Sequence, residues 1–327
     1  MFKGSTILVT GGTGSWGQEL VSQLLEYDPK SLIIFSRNES TQVAMKRQYN
    51  DSRLQFCIGD VRDKEALIMA TRGVDYVFHL AALKHVPVCE DQPYEALKTN
   101  IVGTQHVIEA SMENKVKKVI NISTDKAANP SNFYGMTKAI GEKLIIYANL
   151  LRSDTTFVCV RGGNVLGTNG SVIHLFKKQI EENGRVGITH KEMTRFFLTV
   201  EEAIALLLKA AIEGVGGEIF IMKMPTCKIS DLAEVLADHA GVAKLDFEEL
   251  GVRPGEKLHE ILYTEFEAQN SVIFDEDYVV VLPTVDTPRL KEAYGHCRRV
   301  GDDEYSSAYS LMNKEQIHQM LRKGGFL

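Results

Sequence analysis

The sequence predicts an α/β protein, a doubly wound parallel sheet with a smaller C-terminal substrate-binding lobe. Three observations point there. Short, near-continuous apolar runs alternate with amphipathic helical stretches through the first half, the pattern of strands buried on both faces by helices. A glycine-rich turn, "GGTGSWG", joins the first apolar run to the first helical stretch. After about residue 160 the alternation loosens, as it does where a chain leaves the sheet to build a second lobe.

The expected strands are "TILVT", "SLIIFS", "QFCIGD", "VDYVFHLA", "KKVINIS" and "TFVCVRGG", rich in the β-branched and aromatic residues that favour a pleated surface. Between them "GQELVSQLLEYD", "KEALIMATRG", "YEALKTNIVGTQHVIEASMEN" and "YGMTKAIGEKLIIYANLL" read as helices. Further on, "NVLGTNGSVIHLFKKQIEENG" is a loop and a helix, "TVEEAIALLLKAAIEG" a helix and "GEIFIMKM" a strand. "KISDLAEVLADHAG" is a helix with Ser230 or Asp231 near its cap. Residues 1–160 are expected to form the nucleotide-binding domain, with 190–215 returning to it. Residues 161–327 form most of the second lobe, and the cleft between the two is the default ligand site.

Bulk properties exclude several classes. The chain of 327 residues has a net charge of −6, against the basic face that nucleic-acid binding needs. Five scattered cysteines with no CxxC pair argue against a disulfide framework or a metal site, and for a reducing compartment. No apolar run is long enough to span a bilayer, and "MFKGSTILVTGG" starts a strand without a signal-peptide pattern. A cytoplasmic protein with no membrane partner is expected.

"ILVTGGTGSWG" places Gly11, Gly14 and Gly17 three residues apart, directly after a strand and opening a helix. That is the context in which the backbone turns tightly, approaches a pyrophosphate and holds it on the helix N-terminus, as in a Rossmann dinucleotide site. Thr13 and Ser15 belong to the same loop, and Trp16 reads as a packing side chain at its tip. The second strand ends in Ser36 and Arg37, which favour the 2′-phosphate of NADP; Glu39 nearby leaves NAD open. Asp60 and Val61 are placed at the adenine pocket, and Leu80, Ala81 and Ala82 where the cofactor passes. Lys84 and Asn100 are counted in the same site.

"STDKAANPSNFYGMTK" carries the chemistry. Tyr134 and Lys138 are four apart and share a helix face. Bringing a phenol from about 10 to near neutrality takes about 4 kcal/mol, roughly what a cation about 4 Å away supplies at a surface-like dielectric. Ser123 and Thr124 at the strand end can hold a substrate oxygen. Together these point to hydride transfer at a carbinol carbon. Asp125 and Lys126 go beyond what a plain dehydrogenase needs. Once a carbinol is a ketone, the proton on the neighbouring carbon is acidic; a Lys can take it while an Asp protonates a hydroxyl leaving one carbon further on. The alternative reading of Asp125 and Lys126 is a surface ion pair.

"TGGTGSWG", "AALKHVPVCEDQPYEALKTNIVGT", "STDKAANPSNFYGMTKA", "MTRFF" and "GVRPGEKLHE" together resemble the bacterial UDP-N-acetylglucosamine 4,6-dehydratases, which are extended short-chain dehydrogenase/reductases. The likeness is greatest to the C5-inverting members that begin pseudaminic acid synthesis for flagellin glycosylation, and runs from about residue 5 to about 265. The resemblance implies that Tyr134 takes the C4 hydroxyl proton, Lys138 lowers the Tyr and holds the nicotinamide ribose, and Thr124 bonds the C4 oxygen. It implies that Lys126 removes the C5 proton and Asp125 protonates the leaving C6 hydroxyl. It further implies that Asn164, Val172, Arg195, Arg253 and Glu256, with Lys84, meet the UDP-sugar, and that the chain forms a dimer or hexamer. His85 and His259 are read as structural.

This family commonly reads "RYGNVxGSRGSV" where the chain reads "RGGNVLGTNGSV". Gly162 for Tyr and Asn169 for Arg are expected to reshape sugar recognition or a subunit contact. They leave open a reductase or epimerase on a downstream UDP-sugar such as a 5,6-unsaturated 4-ketose; a separate rival, a non-catalytic nucleotide sensor, is opposed by the intact Tyr134, Lys138, Asp125 and Lys126.

Overall fold

The structure, a computed structural model, describes residues 1–151, 153–168, 171–285 and 287–327. Six strands come first: β1 (Thr6–Thr10), β2 (Ser31–Ser36), β3 (Leu54–Ile58), β4 (Tyr76–His79), β5 (Lys118–Thr124) and β6 (Thr156–Gly162). They lie in the order β3-β2-β1-β4-β5-β6, all parallel. The order reverses between β1 and β4, and such a reversal leaves a crevice at the carboxyl ends of the strands.

Side chains alternate between the two faces, as the strand period requires. Ile7, Val9, Phe78, Ile120 and Val160 pack with Leu20, Leu24, Ile204 and Leu207 on one side. Leu8, Val77, Val119 and Phe157 pack with Leu67, Val107 and Ile145 on the other. Helix starts follow their side chains: Asn38, Asp63, Asn132 and Thr199 each accept a first-turn backbone N–H. In the helix Ile229–His239 the N-cap is Lys228, so neither Ser230 nor Asp231 caps it.

After residue 160 the chain enters the sheet more often than the single return expected over 190–215. Ile219–Met222 pairs parallel with β6, and Tyr278–Val281, Ser271–Ile273 and Arg298–Arg299 extend the sheet antiparallel. The helix Val200–Glu213 packs on β5 and β6. The rest forms a lobe with its own core, where Phe176, Ile180, Val186, Leu232, Leu236 and Leu321 meet. Among the described residues no helix is long and apolar enough to cross a membrane.

The stretch expected as one helix over 94–114 is three: Pro93–Leu97, a π turn at Lys98–Val102 and Gly103–Glu113. Asn100 lies in the π turn. Its amide Oδ1 accepts from Leu83 N at 2.8 Å, and its Nδ2 donates to Leu83 O and Thr137 Oγ1, each at 2.9 Å. The widened turn aims this amide at the chain leaving β4, a place where π turns recur near functional sites.

Candidate active site

A cavity of about 690 Å³ opens at the carboxyl ends of β1, β4 and β5, within the range of small-molecule sites. One end is built by the turn after β1. Gly11 has φ +70°, and a Cβ there would stand 2.9 Å from the Ala81 backbone nitrogen, so only glycine lets the two strand ends approach. Gly14 then caps the helix α1 (Ser15–Glu26) without any side-chain cap, leaving first-turn N–H groups for an anion. Thr13, Ser15, Trp16 and Gly17 line this wall, with Leu80, Ala81 and Ala82 opposite. Beyond lie Ser36, Arg37, Asp60 and Val61. Gln42 Nε2 holds Ser36 Oγ at 2.9 Å. Burial opposes the Asp60 carboxylate, but Arg62, at 2.6 and 2.8 Å, outweighs this and holds it below its ordinary value. A cradle that excludes side chains, an uncapped helix end and a flanking Arg fit a dinucleotide.

The other end carries Ser123, Thr124, Lys126, Tyr134, Lys138 and Lys84. Two distant segments are fastened together here: Ser131 Oγ and Asn132 Nδ2 donate to Gly255 O at 2.8 and 2.9 Å, and Lys257 Nζ to Ala128 O at 2.9 Å. Asp125 is fully buried. Its Oδ1 accepts from Thr124 Oγ1 at 2.8 Å and Lys126 Nζ at 3.0 Å, while its Oδ2 is buried with no hydrogen-bond partner among the described residues. Lys126 Nζ also reaches Asn164 Oδ1 at 3.3 Å. Asp125 and Lys126 are therefore an ion pair whose Lys126 lines the cavity and whose Asp125 is buried behind it, not a surface pair.

Electrostatics differ in part from expectation. Burial pushes the Tyr134 phenol up to about 12, and the strongest cationic pull against this comes from Lys126. Burial brings the Lys138 ammonium down to about 8. Burial also opposes the Lys126 charge, but Asp125 and then Glu260 outweigh it and hold the ammonium above its ordinary range. Lys126 thus rests as the charged partner of Asp125.

Of the residues expected in the site, five do not line the cavity: Asn100, Asp125, Arg195, Arg253 and Glu256. Asn100 spends its amide on Leu83 and Thr137, so it shapes the site from behind. The Arg195 guanidinium is buried, donating to Thr194 O at 2.7 Å and Leu258 O at 3.2 Å and pairing with Glu256 at 3.4 Å. Arg253 is exposed. Asn164 and Val172 do line the cavity, and so does His85, whereas His259 is bound to Thr194 at 2.8 Å. A Cβ at Gly162 would meet the Trp16 ring at 3.2 Å, so the indole takes the space that a larger side chain would use. Asn169 lies outside the described residues. Missing from the sequence reading was Glu260, buried beside Lys126 and Arg195; its signal was its place closing "RPGEKLHE", a block already singled out.

Fold and site define an enzyme of the extended short-chain dehydrogenase/reductase type, with a cleft that fits a dinucleotide. Residues 7–282 match the model of a family described as polysaccharide biosynthesis protein, and the chain belongs to that family. It is 45% identical, over 87% of this chain and 85% of the relative, to a UDP-N-acetylglucosamine 4,6-dehydratase (inverting) of Campylobacter jejuni. It is 44% identical, over 98% and 96%, to a protein of Rickettsia prowazekii named UDP-glucose 4-epimerase, and 44% identical, over 100% and 98%, to an uncharacterized membrane protein of Methanocaldococcus jannaschii. Among solved structures, Pen from Bacillus thuringiensis superposes with a TM-score of 0.93 at 38% identity, covering 100% of both chains.

Proposed function

We propose that the chain is a UDP-N-acetylglucosamine 4,6-dehydratase that uses NADP and inverts C5. The observation carrying this reading is the Lys126–Asp125 contact of 3.0 Å, opening onto the cavity that also holds Tyr134 and Lys138. A bound nicotinamide supplies the acceptor and later the donor of one hydride. Tyr134, as the phenolate that Lys126 and a bound cationic nicotinamide would favour against burial, takes the C4 hydroxyl proton, with Thr124 holding the oxygen. Moving one proton from Lys126 to Asp125 turns an ion pair into a neutral amine and a neutral acid, which arms base and acid at once. Lys126 then takes the C5 proton. Asp125, bonded to the Thr124 hydroxyl at 2.8 Å, returns its proton through that hydroxyl to the departing C6 oxygen. NADP is favoured over NAD because Ser36 and Arg37 line the cavity while Glu39 does not.

A second copy of the chain is the expected partner. Met136, Ile140 and Tyr147 are exposed along one helix, at spacings of four and seven that share a face. The epimerase-named relatives favour a second reading, inversion at C4 of a UDP-sugar without elimination. Mass spectrometry after incubation with UDP-N-acetylglucosamine separates the readings. Loss of one water supports the dehydratase; an isomer of unchanged mass supports the epimerase. Binding without conversion leaves a reductase of a downstream sugar.

A further inference from the structure

Glu260 is buried to 3% exposure. Its backbone is held on both sides by Ser307, whose Oγ accepts from Glu260 N at 2.9 Å and whose N donates to Glu260 O at 2.8 Å. The side chain is thereby aimed inward. Oε1 stands 4.0 Å from Lys126 Nζ and 3.8 Å from Arg195 Nε, and Oε2 is buried with no hydrogen-bond partner among the described residues. A buried carboxylate with an orphaned oxygen is costly unless it has a task. Arg195 does not depend on Glu260 alone, since its Nη1 donates to two carbonyls and its Nη2 pairs with Glu256 at 3.4 Å.

We propose that Glu260 is a positioning residue for the elimination step: its carboxylate stands behind Lys126 and strengthens it as the base that takes the C5 proton. The proposal rests on the dehydratase reading above. Four charged or titratable residues besides Glu260 act on Lys126 or stand against it: Asp125 on its own turn, Tyr134 on the following helix, Arg195 on the strand Thr194–Leu198, and Lys257 on the segment that carries Glu260. Arg195 and Lys257 disfavour a positive Lys126, Asp125 favours it at 3.0 Å, and Glu260 is the second anion. As the C5 proton passes to Lys126 Nζ, the C5–H electron pair passes into the ketone and the amine becomes an ammonium. An anion 4.0 Å away stabilises that product and hence the step toward it. Burial draws the Glu260 carboxyl above its ordinary value, and Lys126 and Arg195 pull against this toward the anion.

The test reads Lys126 directly, without substrate. The full-length parent, Glu260→Gln and Glu260→Asp are trace-labelled with acetic anhydride across pH, and labelling at Lys126 and Lys84 is followed by peptide mass spectrometry. Removing a negative charge favours the neutral amine, so the Lys126 midpoint in Glu260→Gln should fall by on the order of one pH unit. Lys84 should not move, and Glu260→Asp should stay near the parent. An unchanged Lys126 midpoint in Glu260→Gln overturns the proposal, and so does an equal shift at Lys84. Under the dehydratase reading, Glu260→Gln also slows C5 deuterium exchange on its pH plateau. If the parent leaves UDP-N-acetylglucosamine unconsumed, that reading fails, while the labelling still decides whether Glu260 governs Lys126.

Discussion

Gly135 follows Tyr134 in the first turn of its helix, and a Cβ there would run into the Lys126 carbonyl oxygen, with Pro130 Cβ at 3.2 Å closing the other side. Gly135→Ala therefore forces the helix start and the Asp125–Ala127 turn apart, by about 1 Å if normal non-bonded contact is to be restored. Tyr134 rides on the first element and Lys126 on the second. A misplacement of about 1 Å between reacting groups costs on the order of 100-fold in rate. Stability should fall less: overpacking costs about 1–3 kcal/mol, and alanine in place of glycine in a helix returns about 1 kcal/mol. The assay is the initial rate of water loss from UDP-N-acetylglucosamine by mass spectrometry. Cofactor binding is followed through Trp16, the one tryptophan of the chain. The expected result is a rate near one hundredth of the parent with cofactor affinity little changed. A Gly135→Ala protein that turns over like the parent would refute the claim that this contact sets the site.

Lys126→Ala should abolish C5 deuterium incorporation while leaving cofactor and UDP binding intact; exchange equal to the parent would remove Lys126 from the base role. Tyr134→Phe should prevent cofactor reduction by substrate, read at the absorbance of the reduced nicotinamide. His79 is buried between Thr10 and Thr104, and burial holds its imidazole down at about 3. The unfolded chain therefore binds a proton that the native site refuses between about pH 6.5 and 3, so this contribution is present above 6.5 and lost as pH falls. Between pH 6.5 and 5 the slope is worth roughly 2 kcal/mol, measurable by urea unfolding, and His79→Gln should flatten it. Arg161 is buried with Glu142 and Glu267 at 2.7 Å each; Arg161→Met leaves two uncompensated acids and should cost about 3–5 kcal/mol in the same assay.

Local pattern made the first half of the fold legible. The six strands and the glycine turn show as apolar runs and glycine spacing in consecutive residues, although the approach that requires Gly11 is to Ala81, far along the chain. The π turn at Lys98–Val102 was not legible, because it answers to Leu83 and Thr137, which Asn100 meets only in space. The later returns to the sheet were hidden for a related reason: Ser271–Ile273 and the edge strand Arg298–Arg299 are short, and their partners decide them. In the site, Tyr134, Lys138, Asp125 and Lys126 could be found from spacing. Their electrostatics could not, since the charge on Lys126 depends on Glu260, more than a hundred residues away along the chain.

The central claim is that this site oxidises C4, eliminates water across C5 and C6, and returns the hydride to C6. An NMR time course of the purified protein with UDP-N-acetylglucosamine in deuterated water, without added reductant, tests it most directly. The account predicts a new 6-deoxy methyl signal, deuterium at C5 and ring couplings of the inverted sugar. A substrate unchanged, or converted only at C4 with its C6 hydroxyl retained, would contradict it.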